Sequence, residues 1–265
     1  MATSRHQQQS GPILNVKISS YGNKAIVDCV RAWIRANKKT YICVAAVHLI
    51  MECQKNNSLL RGVNKSGLTV ADGMPLVWLL RKRYGLPAER AYGPSIFFDL
   101  CALAQSRGHS IYVLGGAPGQ AHDVVTRLRL RLPRLRIVGS RDTPVRPMPK
   151  QRNKDAIKHI NFCKPNIVFV GMGCPYQEAW MIENRRILDA NILIGVGAAF
   201  DIVTHRIAKA PAWIQRIGLE WLFRFFQDPT RLWYRYTIMN LQFLLRATGE
   251  IFFAPRVAPL RGKDK

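Results

Sequence analysis

Apolar residues recur along the middle of the chain in two alternating patterns. Short, continuous apolar runs lie at residues 41–47, 68–72, 111–116, 135–140, 166–173 and 191–197. Their length and β-rich composition are typical of strands buried on both faces. Longer segments between them have apolar residues three or four positions apart, as amphipathic helices do. This alternation predicts an α/β fold, with a Rossmann-like parallel sheet and helices on both faces.

The pattern changes beyond about residue 205, where the chain becomes rich in aromatic side chains and arginine and shows no strand-like run. Pro211 and Pro229 each suit the first turn of a helix, so we predict helices at about residues 211–227 and 229–248. The resulting organisation is a disordered N-terminus at 1–20, an α/β domain at 21–205, a helical appendage at 206–250 that we expect to associate with a membrane, and a basic tail at 251–265 that is disordered from about residue 254.

The charge is strongly unbalanced, with 40 Lys and Arg against 16 Asp and Glu and a net charge of +24. Such a surplus favours a polyanionic partner: nucleic acid, an anionic membrane surface or a phosphorylated substrate. The sequence shows neither a signal peptide nor an apolar run of about 18 residues, so we expect a cytoplasmic protein. The six cysteines and six histidines lack metal-ligand spacing, and we expect no metal site.

Turns that contain glycine or aspartate follow several predicted strands, as at Asp72, Gly115-Gly116, Gly171-Met-Gly173 and Gly195-Val-Gly197. In a parallel sheet these turns meet at the carboxyl edge, where ligands bind. Their spacing matches neither the dinucleotide fingerprint nor the P-loop, so we expect no cofactor of these kinds. Asp72 could be a general base or a turn aspartate. Each glycine turn also has a purely structural interpretation.

Six motifs occur in one order over about residues 41–240: ADGMPLVW, ERAYGPS, VLGGAPGQA, VFVGMGCPYQE, LIGVGAAFD and GLEWLFRFFQDPTRLWYRY. Together they resemble the WecG/TagA/CpsF family of bacterial glycosyltransferases, also called glycosyltransferase family 26. The resemblance implies an inverting, metal-independent enzyme of cell-surface or exopolysaccharide synthesis. It would transfer a sugar from a UDP-sugar to a polyprenyl-diphosphate-linked saccharide at the cytoplasmic face of the membrane.

The resemblance also implies roles for individual residues. Asp72 falls on the family's Asp-Gly aspartate, the base that deprotonates the acceptor hydroxyl. Gln177 falls in the nucleotide-sugar pocket with Glu178 beside it, and Asp201 would face the nucleoside; Glu178 and Asp201 could instead be helix-start acids. Arg224 and Arg231 match arginines that reach the diphosphates. The remaining substrate-binding candidates are Arg90, Gly115, Gly116, Gly173, Gly197 and His48.

The chain departs from the family pattern at four positions: Ala45, Val47, Ser95 and Tyr176. His48 is the polar candidate nearest the first two, although a lone histidine is more often structural. A catalytically impaired relative that acts as a partner subunit is therefore an alternative, against which the retained Asp72, Gln177 and Asp201 argue. A basic nucleic-acid-binding protein is the other alternative, but the charge is its only support, so nucleic acid is an unlikely partner.

Overall fold

A computed structural model describes residues 9–211, 213–214, 217–252 and 260–261. The strands are β1 (Gln9–Ile13), β2 (Val16–Ser19), β3 (Thr40–Ala45), β4 (Leu68–Ala71), β5 (Ser110–Gly115), β6 (Arg136–Arg141), β7 (Ile167–Gly171), β8 (Ile192–Gly195) and β9 (Leu260–Arg261). They form one sheet in the order β6-β5-β7-β8-β3-β4-β2-β1-β9. The strands from β6 to β2 in this order are parallel, while β1 runs antiparallel to β2 and β9.

Helices cover both faces of the sheet. They are α1 (Asn23–Arg35), α2 (Val47–Lys55), α3 (Asn57–Asn64), α4 (Met74–Tyr84), α5 (Gly93–Arg107), α6 (Gln120–Arg131), α7 (Lys150–Cys163), α8 (Tyr176–Asn184), α9 (Ala199–Val203), α10 (Glu220–Gln227), α11 (Pro229–Tyr236) and α12 (Ile238–Phe252). Successive residues of each central strand point to opposite faces, so Tyr41 and Cys43 join one hydrophobic core and Ile42 joins the other. The predicted Rossmann-like fold is confirmed.

The two cores show where the sheet opens a crevice. Helices α2, α3, α4, α7, α8 and α12 contribute to one core, and α1, α5, α6 and α9 contribute to the other. The neighbouring strands β3 and β8 are thus followed by helices on opposite faces, α2 and α9. In open α/β sheets, ligands bind at the carboxyl ends of two neighbouring strands whose following helices lie on opposite faces.

Gly115 allows two of the central strands to approach each other at this edge. Its φ is +135°, and an added Cβ would lie 2.5 Å from the carbonyl carbon of Gly171. A side chain would therefore collide with the backbone of β7. The glycine at this position has a structural function, whatever else the turn does.

The predicted disorder of residues 1–20 is wrong from Gln9 onward, because β1 and β2 form a hairpin whose Ile13, Val16 and Ile18 are buried. The apolar runs of these two strands are too short to give a recognisable periodic pattern in the sequence. The predicted disordered tail is wrong at Leu260–Arg261, which pairs with β1 and covers part of its edge. Residues 1–8, 253–259 and 262–265 lie outside the described residues.

The helices of the appendage differ from their predicted bounds. The helix predicted at about 211–227 is not continuous: residues 213–214 are helical, 217–219 are not, and α10 begins at Glu220, two residues after Gly218, whose φ of +77° is left-handed. The predicted helix 229–248 is interrupted at Thr237, whose hydroxyl donates to the carbonyl of Trp233 at 2.6 Å. Such a bond competes with the backbone and bends helices.

Candidate active site

The predicted site residues gather at the carboxyl edge of the parallel sheet. Asp72 follows β4, Gly173 follows β7, and Gly197 follows β8, while Gly115 ends β5. An added Cβ at Gly93 would lie 4.0 Å from Asp72 Oδ2 and 3.5 Å from the carbonyl oxygen of Val196. The exits of β4 and β8 therefore border on one another across the first turn of α5.

Asp72 belongs to a group of four charged side chains, which we call the carboxylate–arginine cluster: Asp72, Arg90, Glu220 and Arg224. Arg90 donates through Nε to the Asp72 carbonyl oxygen at 2.5 Å and through Nη2 to Asp72 Oδ1 at 3.3 Å. The same Nη2 lies 2.6 Å from Glu220 Oε2, and Arg224 Nε lies 3.2 Å from Glu220 Oε1. Arg90 thus joins the sheet to the appendage.

The electrostatic setting of Asp72 is balanced between opposing effects. Burial raises the pKa of its carboxyl, whereas Arg90 and Arg224 lower it and Glu220 raises it further. The net direction is upward, so the group is a stronger base than an exposed aspartate. Its side chain remains about one quarter exposed, at 23%, and Oδ2 has no hydrogen-bond partner among the described residues. A free, semi-buried carboxylate oxygen can receive a proton.

Gln177 connects two elements of the crevice through its amide. Its Oε1 accepts from Gly197 N at 3.1 Å, and its Nε2 donates to Glu178 Oε1 at 2.7 Å. Both Gln177 and Glu178 are buried in the first turn of α8. Glu178 therefore fixes which end of the Gln177 amide faces the turn after β8.

Glu178 is an acidic residue that is completely buried. Its Oε2 is buried without a hydrogen-bond partner among the described residues. Burial raises the pKa of this carboxyl, against smaller lowering effects of its hydrogen bonds and of Arg235. Its side chain contacts Gln177 and is fully enclosed, so Glu178 is connected to the crevice only through Gln177.

Asp201 is connected to the turn after β5 through the side chain of Gln120. Its Oδ1 accepts from Gln120 Nε2 at 2.7 Å, and Gln120 Oε1 accepts from Ala117 N at 2.9 Å. The side chain of Gln120 also lies under Gly116, whose φ is +91° and where an added Cβ would collide with it. Asp201 and Gly116 are thus linked through one buried glutamine.

The N-terminus of α6 is already occupied by a carboxylate of the chain itself. Asp142 Oδ2 accepts from Gly119 N at 2.7 Å, and Oδ1 accepts from Ala121 N at 2.8 Å. Free N–H groups at a helix start are what would attract phosphate. The Gly115-Gly116 turn therefore does not offer this helix start to a phosphate group while Asp142 is bound.

The turn that ends at Gly173 has a cation beside it. Gly173 has φ +79°, and an added Cβ would lie 3.3 Å from Arg146 Nη1. Tyr176, one of the four departures from the family pattern, begins α8 and is exposed. Arg146 brings a positive charge to the turn that Tyr176 does not supply.

His48 lies in the first turn of α2. Burial, with Arg235 and Lys55, lowers the pKa of its imidazole to about 3. The ring is therefore neutral near pH 7, and its 3.6 Å approach to Glu52 Oε1 is not an ion pair. Its Nδ1 is buried without a hydrogen-bond partner among the described residues.

The other predicted residues are placed less completely. Arg231 lies in α11, but its side chain is outside the described part of the structure. Ala45 ends β3 and Val47 begins α2. Ser95 Oγ donates to Asp99 Oδ2 at the limiting distance of 3.5 Å. None of these three small or apolar side chains adds a charge to the crevice.

Two cavities open beside the edge strand β6, away from the carboxylate–arginine cluster. One of about 260 Å³ is lined by Arg141, Asp142, Thr143, Pro144, Val145, Met148 and Arg152. The other, of about 430 Å³, is lined by Ser140, Arg141, Asp155, Lys158, His159 and Phe162. Five strand spacings of about 4.8 Å separate β6 from β4, roughly 24 Å. Neither of these two cavities therefore borders the carboxylate–arginine cluster.

The described residues contain no group of three or more His, Cys, Asp or Glu side chains arranged to hold a metal ion. None of their helices combines the length and hydropathy that a crossing of the bilayer requires.

A Rossmann-like sheet with acidic, amide and arginine side chains at its carboxyl edge is typical of α/β proteins that bind ligands at that edge. Residues 12–256 match the family model described as "Glycosyl transferase WecG/TagA/CpsF family". The chain belongs to this family, and the resemblance of its motifs is confirmed. It is accordingly a glycosyltransferase of cell-surface polymer synthesis, with a nucleotide-sugar donor and a saccharide acceptor.

Sequence reasoning missed three residues that organise the site: Gln120, Asp142 and Glu220. Asp142 is a lone acid among arginines directly after a predicted strand, a signal that could have been noticed. Glu220 stands inside a quoted motif, four residues before Arg224, at helical spacing for an ion pair. Gln120 also stands inside a quoted motif, but its contact with Asp201 spans 81 residues and leaves no local signal.

The burial of Glu178 generates a prediction about pH and stability. Because its pKa is raised in the folded state, the wild type loses stability as the pH rises above the ordinary glutamate pKa. Glu178→Gln removes this loss. The difference in Tm, variant minus wild type, should therefore increase between about pH 4 and about pH 8. Thermal unfolding checks this.

The matched control is Glu183→Gln, because Glu183 is an exposed residue of the same helix. Its Tm difference from the wild type should stay flat over the same pH range. A Glu178→Gln difference that is flat as well, or that decreases as the pH rises, would contradict the assignment.

Proposed function

We propose that this protein is an inverting, metal-independent transferase that moves a sugar from a UDP-sugar to a polyprenyl-diphosphate-linked saccharide. Asp72 would be the general base, and the reaction would take place at the inner face of the cell membrane. The observation that supports this best is the carboxylate–arginine cluster, in which a base of raised pKa lies beside two arginines at the carboxyl edge of the sheet.

The inverting step needs one carboxylate and no covalent intermediate. Asp72 Oδ2 would take the proton of the acceptor hydroxyl, whose oxygen attacks the anomeric carbon of the sugar. The bond from that carbon to the UDP oxygen breaks on the opposite side, and UDP leaves with the bonding electrons. Gln177, held by Gly197 and Glu178, would contact the donor near this carbon.

The charge of the leaving diphosphate would be met by arginine. Arg224 uses Nε for Glu220, and its two Nη groups have no hydrogen-bond partner among the described residues. Charge-assisted bonds of guanidinium to phosphate are strong and often bidentate. The nearby carboxylates of Asp72 and Glu220 both pair with Arg90, and the positive charge of its guanidinium opposes the approach of Mg²⁺.

The appendage would bind the membrane that holds the acceptor. Eleven of the seventeen large apolar side chains exposed in the described residues lie between Trp213 and Leu245. They include Trp221, Trp233 and Tyr234, the aromatic types that favour the membrane interface. The opposite face of α12 places Met239, Phe243 and Ala247 in the core. One side of the appendage is thus anchored to the protein and the other is free for lipid.

Asp72→Asn tests the base. The variant should lose transfer by about 10²–10⁴-fold, because an amide cannot accept the proton. Its affinity for UDP should stay within about threefold of the wild type, since the step that is lost is chemical. UDP release and calorimetric UDP binding measure both quantities. Asp28→Asn, at an exposed carboxylate on α1, is the control, and full turnover by Asp72→Asn would rule out the base.

Metal independence is tested with a chelator. Transfer in excess EDTA should stay within about twofold of the untreated rate, because arginine and not Mg²⁺ neutralises the diphosphate. The measurement is UDP release before and after EDTA, and again after Mg²⁺ is restored. Loss of activity that Mg²⁺ recovers would refute this part of the proposal.

Membrane binding is tested by placing a charge on the exposed face. Phe226→Glu and Leu245→Glu change side chains that are 74% and 67% exposed. Each should weaken co-sedimentation with anionic vesicles by at least about tenfold, because an apolar contact with lipid is replaced by a repelled charge. Leu130→Glu, on α6 and 81% exposed, is the matched control. Equal weakening in all three variants would contradict lipid binding through the exposed face of the appendage.

A further inference from the structure

Glu220 is a buried acid on the appendage whose carboxylate contacts both arginines of the carboxylate–arginine cluster. It is 6% exposed, with Oε2 at 2.6 Å from Arg90 Nη2 and Oε1 at 3.2 Å from Arg224 Nε. The two guanidinium groups would repel each other without an anion between them. Glu220 therefore allows Arg90 of the sheet domain and Arg224 of α10 to lie close together.

The contacts also set the direction in which each arginine faces. Glu220 takes up Nε of Arg224, which leaves the Nη groups for an incoming anion. It also shares Nη2 of Arg90 with Asp72, and the ring of Tyr92 lies 4.6 Å below that guanidinium. Arg90 is thus held between two carboxylates instead of pairing fully with Asp72, so Asp72 keeps an oxygen available.

We propose that Glu220 is a positioning residue of the transfer reaction, which holds Arg90 and Arg224 around Asp72 and thereby completes the active site from the appendage. The role rests on the proposed function of Asp72. It is indirect, because Glu220 touches the two arginines and not the reacting atoms.

An electrostatic consequence separates this role from a merely structural one. The charged groups that act on the carboxyl of Asp72 are Arg90 and Arg224, which lower its pKa, and Glu220, which raises it; the phenols of Tyr92 and Tyr236 also feel its charge. Neutralising Glu220 removes the raising effect and frees Arg90 to pair with Asp72. The pKa of Asp72 should then fall, and Asp72 becomes a weaker base.

The test compares Glu220→Gln and Glu220→Asp with the wild type. Glu220→Gln keeps the size of the side chain and removes the charge; kcat should fall by about ten- to a hundredfold, as expected when catalytic groups are displaced. The acid limb of its pH–rate profile should move to lower pH, with donor KM within about threefold. Glu220→Asp keeps the charge and should recover part of kcat with an acid limb near that of the wild type. Glu183→Gln, exposed on α8, should match the wild type.

A titration of Asp72 by carbon NMR gives a readout that needs no turnover. Its carboxyl signal, assigned by its absence in Asp72→Asn, should titrate at lower pH in Glu220→Gln than in the wild type. An unchanged Asp72 titration would overturn the proposal, as would a kcat loss that Glu220→Asp fails to reduce. If the wild type releases UDP from no donor, the proposed function fails, and the titration alone decides whether Glu220 holds the arginines around Asp72.

Discussion

Arg90 is the side chain on which the arrangement of the site depends. It binds the backbone and the carboxylate at the end of β4, and it binds an acid of the appendage. Four charges that sum to zero meet there in a largely buried place: Asp72, Glu220, Arg90 and Arg224. Burying any one of them alone would cost several kcal/mol. The cluster is tolerated because each charge faces an opposite one, and it requires the sheet domain and the appendage to be assembled.

The backbone of the crevice obeys a similar constraint of space. Gly115 has no Cβ because the backbone of Gly171 occupies its place, and Gly195 has none because the Gln177 amide does. The strands can therefore end close together, with Gln177 reaching Gly197 between them. The glycines that leave room for neighbouring atoms are therefore as necessary to this site as its polar groups. Glycine turns follow several of the strands for this reason.

The sequence was sufficient for the fold because its signal is long. Six apolar runs separated by amphipathic segments have few alternative arrangements. The short hairpin at Gln9–Ser19 was not predicted, because two apolar runs of a few residues do not establish a periodic pattern. The carboxylates at strand ends could be anticipated from parallel topology, as at Asp72. The contact of Glu220 with Arg90 could not, since it spans 130 residues, and the basic, aromatic composition of α10 is equally typical of a helix at a membrane interface.

Helix α10 has one face that carries charged residues of the site and another that exposes aromatic side chains. Glu220 and Arg224 are one helical turn apart and face the crevice, whereas Trp221 and Phe226 on the same helix are exposed. A helix of eight residues is too short for these faces to move independently, because each shares the other's backbone. A force that tilts the exposed face must therefore also displace the carboxylate that joins Arg90 to Arg224. If the appendage binds the membrane as proposed, its docking and the geometry around Asp72 are coupled, and the basic, aromatic composition of this segment would serve both.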